Sequence, residues 1–191
     1  MKTLKIIGLL VVLAFLLVFP LLFPDPTMTG VAIFTLIYAG AAVGWNIFSG
    51  YTGYFSLGQA VYYGLGGYTF ALLCKHLNIP GGYVPFLLLP LAGLVASIFA
   101  IPLGLVALRT RRHIFVVFTI AMFFIFQLLA YNLPQITNGV QGIYMPLPPW
   151  NGDFFNTPFY YVSLIVLLLG FGTAWWIRNS KYGLGLLAIR D

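Results

Sequence analysis

Residues Gly44–Leu73, with the sequence GWNIFSGYTGYFSLGQAVYYGLGGYTFALL, decide the fold of this chain. Five polar side chains interrupt a chain that is otherwise mostly apolar. A helix that only faced lipid would gain nothing from them, because each polar group buried without a partner costs about 1–3 kcal/mol. The pattern predicts a broken or re-entrant helix whose polar groups line a path through a membrane. The five polar residues are Asn46, Ser49, Thr52, Ser56 and Gln59.

The candidate path-lining residues combine polar side chains with glycines. Ser56 and Gln59 lie three residues apart, so we expect them to share a helix face. Small residues after them, Gly64 and Gly67 among them, fall at helical spacing and allow a neighbouring backbone to approach closely. A tightly packed helix pair with no other role is therefore the alternative interpretation. The predicted lining is Asn46, Ser49, Gly50, Gly53, Ser56, Gly58 and Gln59.

The composition places the whole chain in a membrane. Hydrophobic residues make up 61% of it and charged residues 6%, whereas ordinary soluble domains carry about a quarter charged residues. Apolar runs of about 20 residues then predict spanning helices. The formal charge of +6 does not indicate a nucleic-acid partner, because the basic residues lie in short loops and do not cluster on one face.

We predict an all-α integral membrane protein: a polytopic helix bundle with about six spanning helices and a glycine-rich broken or re-entrant segment, in one domain, 1–191. If the N-terminus is cytoplasmic, eight of the nine lysines and arginines lie inside and only Lys75 lies outside, as the positive-inside rule requires. A multi-pass protein of the plasma (bacterial inner) membrane is thus expected. The predicted spans are residues 6–23, 28–48, 55–73, 83–108, 114–133 and 159–177.

Several kinds of chemistry are not supported by the residues present. The acidic residues Asp25, Asp153 and Asp191 all lie in predicted loops, and no predicted span holds an ionisable relay for protons. Neither a nucleophile elbow nor a zinc motif occurs, so we expect no enzyme activity, catalytic residue, cofactor or metal site. A phosphate-binding loop is also missing, so a transporter of this kind must draw energy from another subunit.

Four stretches carry a family resemblance. Residues 44–60, running on to Gly64–Thr69, resemble the glycine-rich segment of the permease subunits of branched-chain amino acid ABC importers of the high-affinity LIV type. Leu108-Arg-Thr-Arg with the run Phe115–Ala121 resembles that family's next inner loop and span. Thr137–Ile143 resembles its outer-loop motif, and Ser180–Asp191 resembles the start of its cytoplasmic coupling loop. The matches occur in the family's order along nearly the whole chain.

The resemblance implies the partners of such a permease as well as its lipid bilayer. These are a second permease subunit, two cytoplasmic ATPase subunits, and a periplasmic or surface substrate-binding protein, for which the loop 134–158 is a candidate docking surface. The coupling loop that contacts the ATPase would begin at about residue 178. The implied ATPase-coupling residues are Ser180, Lys181, Tyr182, Gly183, Ala188, Ile189, Arg190 and Asp191.

The sequence departs from the family's pattern in length and in basic residues. Family members continue beyond the position of Asp191, so we expect a chain truncated at its C-terminus that does not transport alone. Leu184, followed by Gly185, stands where the family usually shows arginine followed by alanine, and Arg112 adds a cation to an inner loop. The permease of the related urea or short-chain amide importer remains an alternative. A channel or structural membrane subunit without ATP coupling is the alternative from a different class.

Overall fold

The computed structural model describes residues 2–79, 81–145, 148–150, 152 and 154–190. Within these ranges the chain is helical or irregular and contains no strand, as predicted. Asp153 and Asp191 lie outside the described residues. The α-helices are α1 (Lys2–Leu22), α2 (Pro26–Trp45), α3 (Gln59–His76), α4 (Leu89–Ala107), α5 (Arg112–Asn132), α6 (Pro134–Thr137), α7 (Thr157–Arg178) and α8 (Lys181–Arg190).

Among the described residues, four helical stretches are long and apolar enough to cross a membrane: Pro26–Gly50, Val84–Ala107, His113–Asn132 and Thr157–Arg178. They match the second, fourth, fifth and sixth predicted spans, which confirms an all-α polytopic membrane protein. Ile7–Leu22 forms a shorter apolar helix. Helix α3 begins at Gln59 instead of Phe55, and its 18 residues extend about 27 Å. The count of six spans stays a prediction.

The chain packs as two compact units. The first combines Met1–Gly44 with Trp150–Gly183, and the second combines Trp45–Pro149 with Leu184–Asp191. The first unit is built on α1, α2 and α7. The second is built on α3, α4 and α5 and contains the glycine-rich segment.

Helix α7 supplies most of the buried core of the first unit. Tyr160 is wholly buried, and Leu164 and Leu167 follow it at helical spacing on the same face. Leu36 of α2 completes this cluster, and the ring of Phe19 in α1 stacks on that of Tyr160 with 5.8 Å between centroids. This aromatic stack and the buried leucines hold the three helices of the unit together.

A proline in α1 leaves one backbone carbonyl without its helical donor, and α7 supplies a replacement. Pro20 lies inside α1, and because proline has no N–H, the carbonyl of Leu16 four residues earlier loses its helical partner. The Tyr160 hydroxyl donates to that carbonyl at 2.8 Å. The Tyr161 hydroxyl donates to the neighbouring Leu17 carbonyl at 3.0 Å, for which Leu21 can still supply the helical N–H. Tyr160 thus replaces a lost backbone hydrogen bond.

At the end of α5 in the second unit, a side-chain hydroxyl again replaces a donor that a proline removes. Pro134 cannot donate to the Ala130 carbonyl, and the buried Thr137 hydroxyl donates to it as well as to the Leu133 carbonyl. Asn138 follows in the left-handed conformation, with φ of 63°, and its side-chain amide donates to the Gly142 carbonyl at 2.9 Å. The outer-loop motif therefore has a structural role at the end of α5.

Replacing Tyr160 by phenylalanine should lower the free energy of unfolding by about 1–3 kcal/mol, because the Leu16 carbonyl is left buried without a partner. Thermal unfolding of the full chain in detergent measures this. In the Pro20→Ala background, Tyr160→Phe should lower the free energy of unfolding by less, since the alanine restores a helical N–H to the Leu16 carbonyl.

Tyr161→Phe provides the matched control for this double-mutant cycle. It removes a hydroxyl from a carbonyl that keeps its helical donor, so its cost should be smaller than that of Tyr160→Phe. An equal cost of Tyr160→Phe in both backgrounds would show that the tyrosine does not compensate for the proline.

Candidate functional site

The helical path is broken where the sequence predicts it. After α2 the chain makes a π-helical turn, Asn46–Gly50, and from Gly53 to Gly58 it is not α-helical before α3 begins at Gln59. Gly53 has φ of 70°, a left-handed conformation that suits glycine. The Asn46 side chain occupies the space that a Cβ at Gly50 would need. The break thus depends on its glycines.

Side chains pair with the backbone of the broken segment. The Trp45 indole N–H donates to the Ser56 carbonyl at 2.9 Å, and the Ser56 N–H donates to the Ser49 hydroxyl oxygen at 3.3 Å. The Leu57 N–H donates to the Thr119 hydroxyl oxygen of α5 at 3.3 Å. Non-helical backbone is tolerated inside a membrane only where the protein pairs its polar groups, and these three bonds supply such pairing.

Close packing fixes the segment against α5. A Cβ built on Gly58 would lie 3.2 Å from the Thr119 carbonyl oxygen, so only glycine fits there without displacing backbone. The Phe48 and Phe115 rings stack at 5.8 Å, and the Tyr54 ring meets Phe115 edge-on at 5.2 Å. The position of the break is therefore set by one face of α5.

A cavity of about 230 Å³, here called the small cavity, lies beside the break. Of the predicted lining residues, Ser56, Gly58 and Gln59 reach it. Within the part of the chain that the structure describes, neither the Ser56 hydroxyl nor the Gln59 amide makes a hydrogen bond, so both can bond to a molecule in the cavity. The remaining wall is Phe48, Tyr62, Ala100, Gly104, Ala107, Leu108, Phe115, Thr119 and Met122.

The other predicted lining residues do not face this cavity. Asn46, Gly50 and Gly53 form the π-helical turn and its exit, and Ser49 is buried with its hydroxyl oxygen bound to the Ser56 N–H. The expectation that Ser56 and Gln59 share a helix face is wrong, because Ser56 precedes the start of α3. The two side chains meet at the same cavity instead.

Tyr62 and Thr119 line the small cavity and were not predicted. The Thr119 hydroxyl donates to the Val116 carbonyl of its own helix at 2.9 Å and accepts from the Leu57 N–H, and the second bond joins α5 to the break. The sequence signal for Thr119 was its position as the single threonine in the fifth predicted span. Nothing in the sequence indicated that it would meet residues 57 and 58.

Most of the C-terminal residues implied to couple to an ATPase lie in α8. Ser180 precedes this helix, and its hydroxyl oxygen accepts from the Gly183 N–H at 3.4 Å while donating to the Ile177 carbonyl at 2.7 Å. Gly183 is buried and packs so closely on the Ile177 carbonyl that a Cβ has no room. Lys181, Tyr182 and Ala188 are exposed.

Helix α8 includes Ile189 and Arg190, whereas Asp191 lies outside the described residues. Ser180 and Gly183 thus define a tight turn between α7 and α8. Of the implied coupling residues whose side chains are described, Lys181, Tyr182 and Ala188 are exposed and thus available to another protein.

Comparisons with known proteins identify the family of this chain. The family described as "Branched-chain amino acid transport system / permease component" matches residues 27–191. The high-affinity branched-chain amino acid transport system permease protein LivM of Salmonella typhimurium is 35% identical over 113 residues, which cover 59% of this chain and 26% of that protein. LivM of Escherichia coli is 34% identical over the same lengths.

The matched region spans about a quarter of the length of these curated relatives. No solved structure matches the chain significantly. The family match covers the break, the small cavity and α8, which are the features described above. On this basis, the chain belongs to the branched-chain amino acid transport permease family, a family of transport proteins and not of enzymes.

Proposed function

We propose that the chain is a membrane-spanning permease subunit of an ATP-binding-cassette importer that translocates branched-chain amino acids. The observation that carries this proposal is the family match over residues 27–191. The high-affinity branched-chain amino acid permeases of two bacteria, at about 35% identity over 113 residues, support the same substrate class.

The small cavity forms part of the proposed translocation path. Ser56 and Gln59 offer a hydroxyl and an amide that have no partner among the described residues, and both groups can donate and accept hydrogen bonds. A neutral amino acid carries an ammonium and a carboxylate, so such groups can bind it without a fixed charge in the membrane. The remaining predicted residues, Asn46, Ser49, Gly50, Gly53 and Gly58, shape and support this wall.

The partners and the orientation follow from the same proposal. A second permease subunit completes the path, two cytoplasmic ATPases supply energy, and a periplasmic or surface binding protein delivers the substrate. The N-terminus lies in the cytoplasm of a bacterial inner-membrane protein, which places Arg109, Arg111 and Arg178 on the cytoplasmic side. Helix α8, with Lys181 and Tyr182 exposed, is then the surface that meets an ATPase.

Gln59→Leu should reduce ATP-dependent uptake of leucine by about tenfold in the assembled transporter, because the cavity loses a hydrogen bond to a charged group of the substrate. Ser56→Ala should have a smaller effect of the same sign. Uptake in a strain that lacks its own permease is the measurement, with membrane insertion checked by immunoblotting.

Ser97→Ala is the control for this pair, since the exposed Ser97 hydroxyl bonds to the Gly93 carbonyl of its own helix and Ser97 does not line the small cavity. Its uptake should match that of the unchanged protein. Unaltered uptake kinetics in Gln59→Leu would show that Gln59 packs in the wall and does not bind the substrate. Flux of leucine through liposomes without ATP would contradict the importer itself and favour a channel.

Gly183→Ala should weaken coupling to the ATPase, because the new Cβ meets the Ile177 carbonyl and forces α8 to shift. Overpacking of this kind typically costs about 1–3 kcal/mol. We expect less ATPase to co-purify with the permease and a matching loss of uptake.

Gly185→Ala is the matched control on the same helix, because a Cβ at Gly185 has open space around it. Alanine is the better helix former there, so co-purification should be unchanged. Equal behaviour of the two variants would show that the position of α8 does not matter for the ATPase contact.

A further inference from the structure

A second cavity, of about 530 Å³, lies in the unit that contains the break. We call it the large cavity. Helices α3 and α5 form most of it, and Leu133, Ile136 and Thr137 close one end. None of the residues predicted to line the path faces it. Its volume falls within the range of pockets that bind small molecules, about 300–1,000 Å³.

The lining of the large cavity is apolar apart from a few groups. Phe123, Phe126 and Leu72 are typical of its wall. The Thr69 hydroxyl donates to the Leu65 carbonyl at 2.7 Å and is thereby occupied. The phenol groups of Tyr68 and Tyr131 and the amide of Gln127 make no hydrogen bond within the described ranges. These three groups are available to a bound molecule.

The chemistry of this wall selects for a neutral, amphipathic ligand. No lysine, arginine, aspartate or glutamate lines the large cavity among the residues described, so a ligand with net charge would be desolvated without a counter-charge. An amide and a phenol can each donate and accept, which suits the ammonium and carboxylate of a zwitterion. A lipid acyl chain would use none of these three polar groups.

The two cavities share helices α3 and α5. At the start of α3, Gln59 and Tyr62 line the small cavity, whereas Ala60 and Val61 between them line the large one. On α5, Thr119 lines the small cavity and Gln127, further along, lines the large one. Both cavities therefore lie within a single compact unit.

We propose that the large cavity is a second substrate site, which takes the aliphatic side chain of a neutral amino acid against Phe123 and Phe126. The amide of Gln127 and the phenols of Tyr68 and Tyr131 bind the ammonium and carboxylate of the same molecule. This inference rests on the proposed function, and it adds that the permease itself selects for aliphatic side chains.

The test is equilibrium binding of radiolabelled leucine to the assembled transporter in nanodiscs, without the substrate-binding protein. The unchanged transporter should bind leucine saturably. Gly64→Leu should weaken binding at least about tenfold, because a Cβ at Gly64 has open space around it and the longer side chain extends into the cavity. Leucine is a better helix former than glycine, so the variant should still fold.

Gly67→Leu is the matched control, since Gly67 lies one turn further on the same helix, also has open space, and does not line the cavity. Its affinity for leucine should equal that of the unchanged transporter. Gln127→Leu should weaken binding by about tenfold through the loss of one hydrogen bond to a charged group.

Equal leucine binding by the Gly64 and Gly67 variants would overturn the second site. A second result would also overturn it: a phospholipid co-purifies with the unchanged transporter and is lost in Gly64→Leu, while leucine binding persists. The occupant of the large cavity would then be an acyl chain. ATP-dependent leucine uptake by the unchanged transporter is measured in parallel. Its absence would overturn the proposed function, whereas its presence without leucine binding would overturn only this inference.

Discussion

The pairing of backbone groups inside a membrane is the constraint on which this structure depends. Lipid cannot hydrogen-bond a free carbonyl or N–H, so the backbone groups that an interruption frees need a partner from the protein or from ordered water. Pro20 frees the Leu16 carbonyl and Tyr160 donates to it, and Pro134 frees the Ala130 carbonyl and Thr137 donates to it. At these two positions a polar side chain thus replaces the backbone donor that a proline removes.

The same constraint divides the polar residues of the break into two groups. The Trp45 indole, Ser49 and Thr119 bond to backbone atoms of the segment, so they hold the non-helical conformation in place. The Ser56 hydroxyl and the Gln59 amide are not used in this way within the described chain and face a cavity. A polar side chain near a break is therefore a candidate ligand-binding group only when the backbone does not already occupy it.

Composition and local pattern predicted the fold class and the break, because both depend on residues close together in the sequence. Glycines with polar residues at 46–59 were sufficient to locate the interruption. The start of α3 at Gln59 and the contacts of Thr119 were not predictable in this way. Leu57 and Thr119 are 62 residues apart, and no periodicity within a helix reveals which distant hydroxyl approaches a given amide. The large cavity was missed for the same reason, since it needs α3 and α5 together.

The neutral lining of both cavities has a consequence for transport. Amides, hydroxyls and phenols bind a zwitterion through single hydrogen bonds, each contributing only about 1.5–3 kcal/mol when one partner is charged. A site that is moderate in affinity releases its occupant readily, as passage through a pore requires. Under the proposed function, tight capture and the energy for accumulation are assigned to the substrate-binding protein and the ATPases. Under the proposed function, cavities that offer the amides of Gln59 and Gln127 suit the passage of a neutral amino acid, and directionality is assigned to the proposed partners.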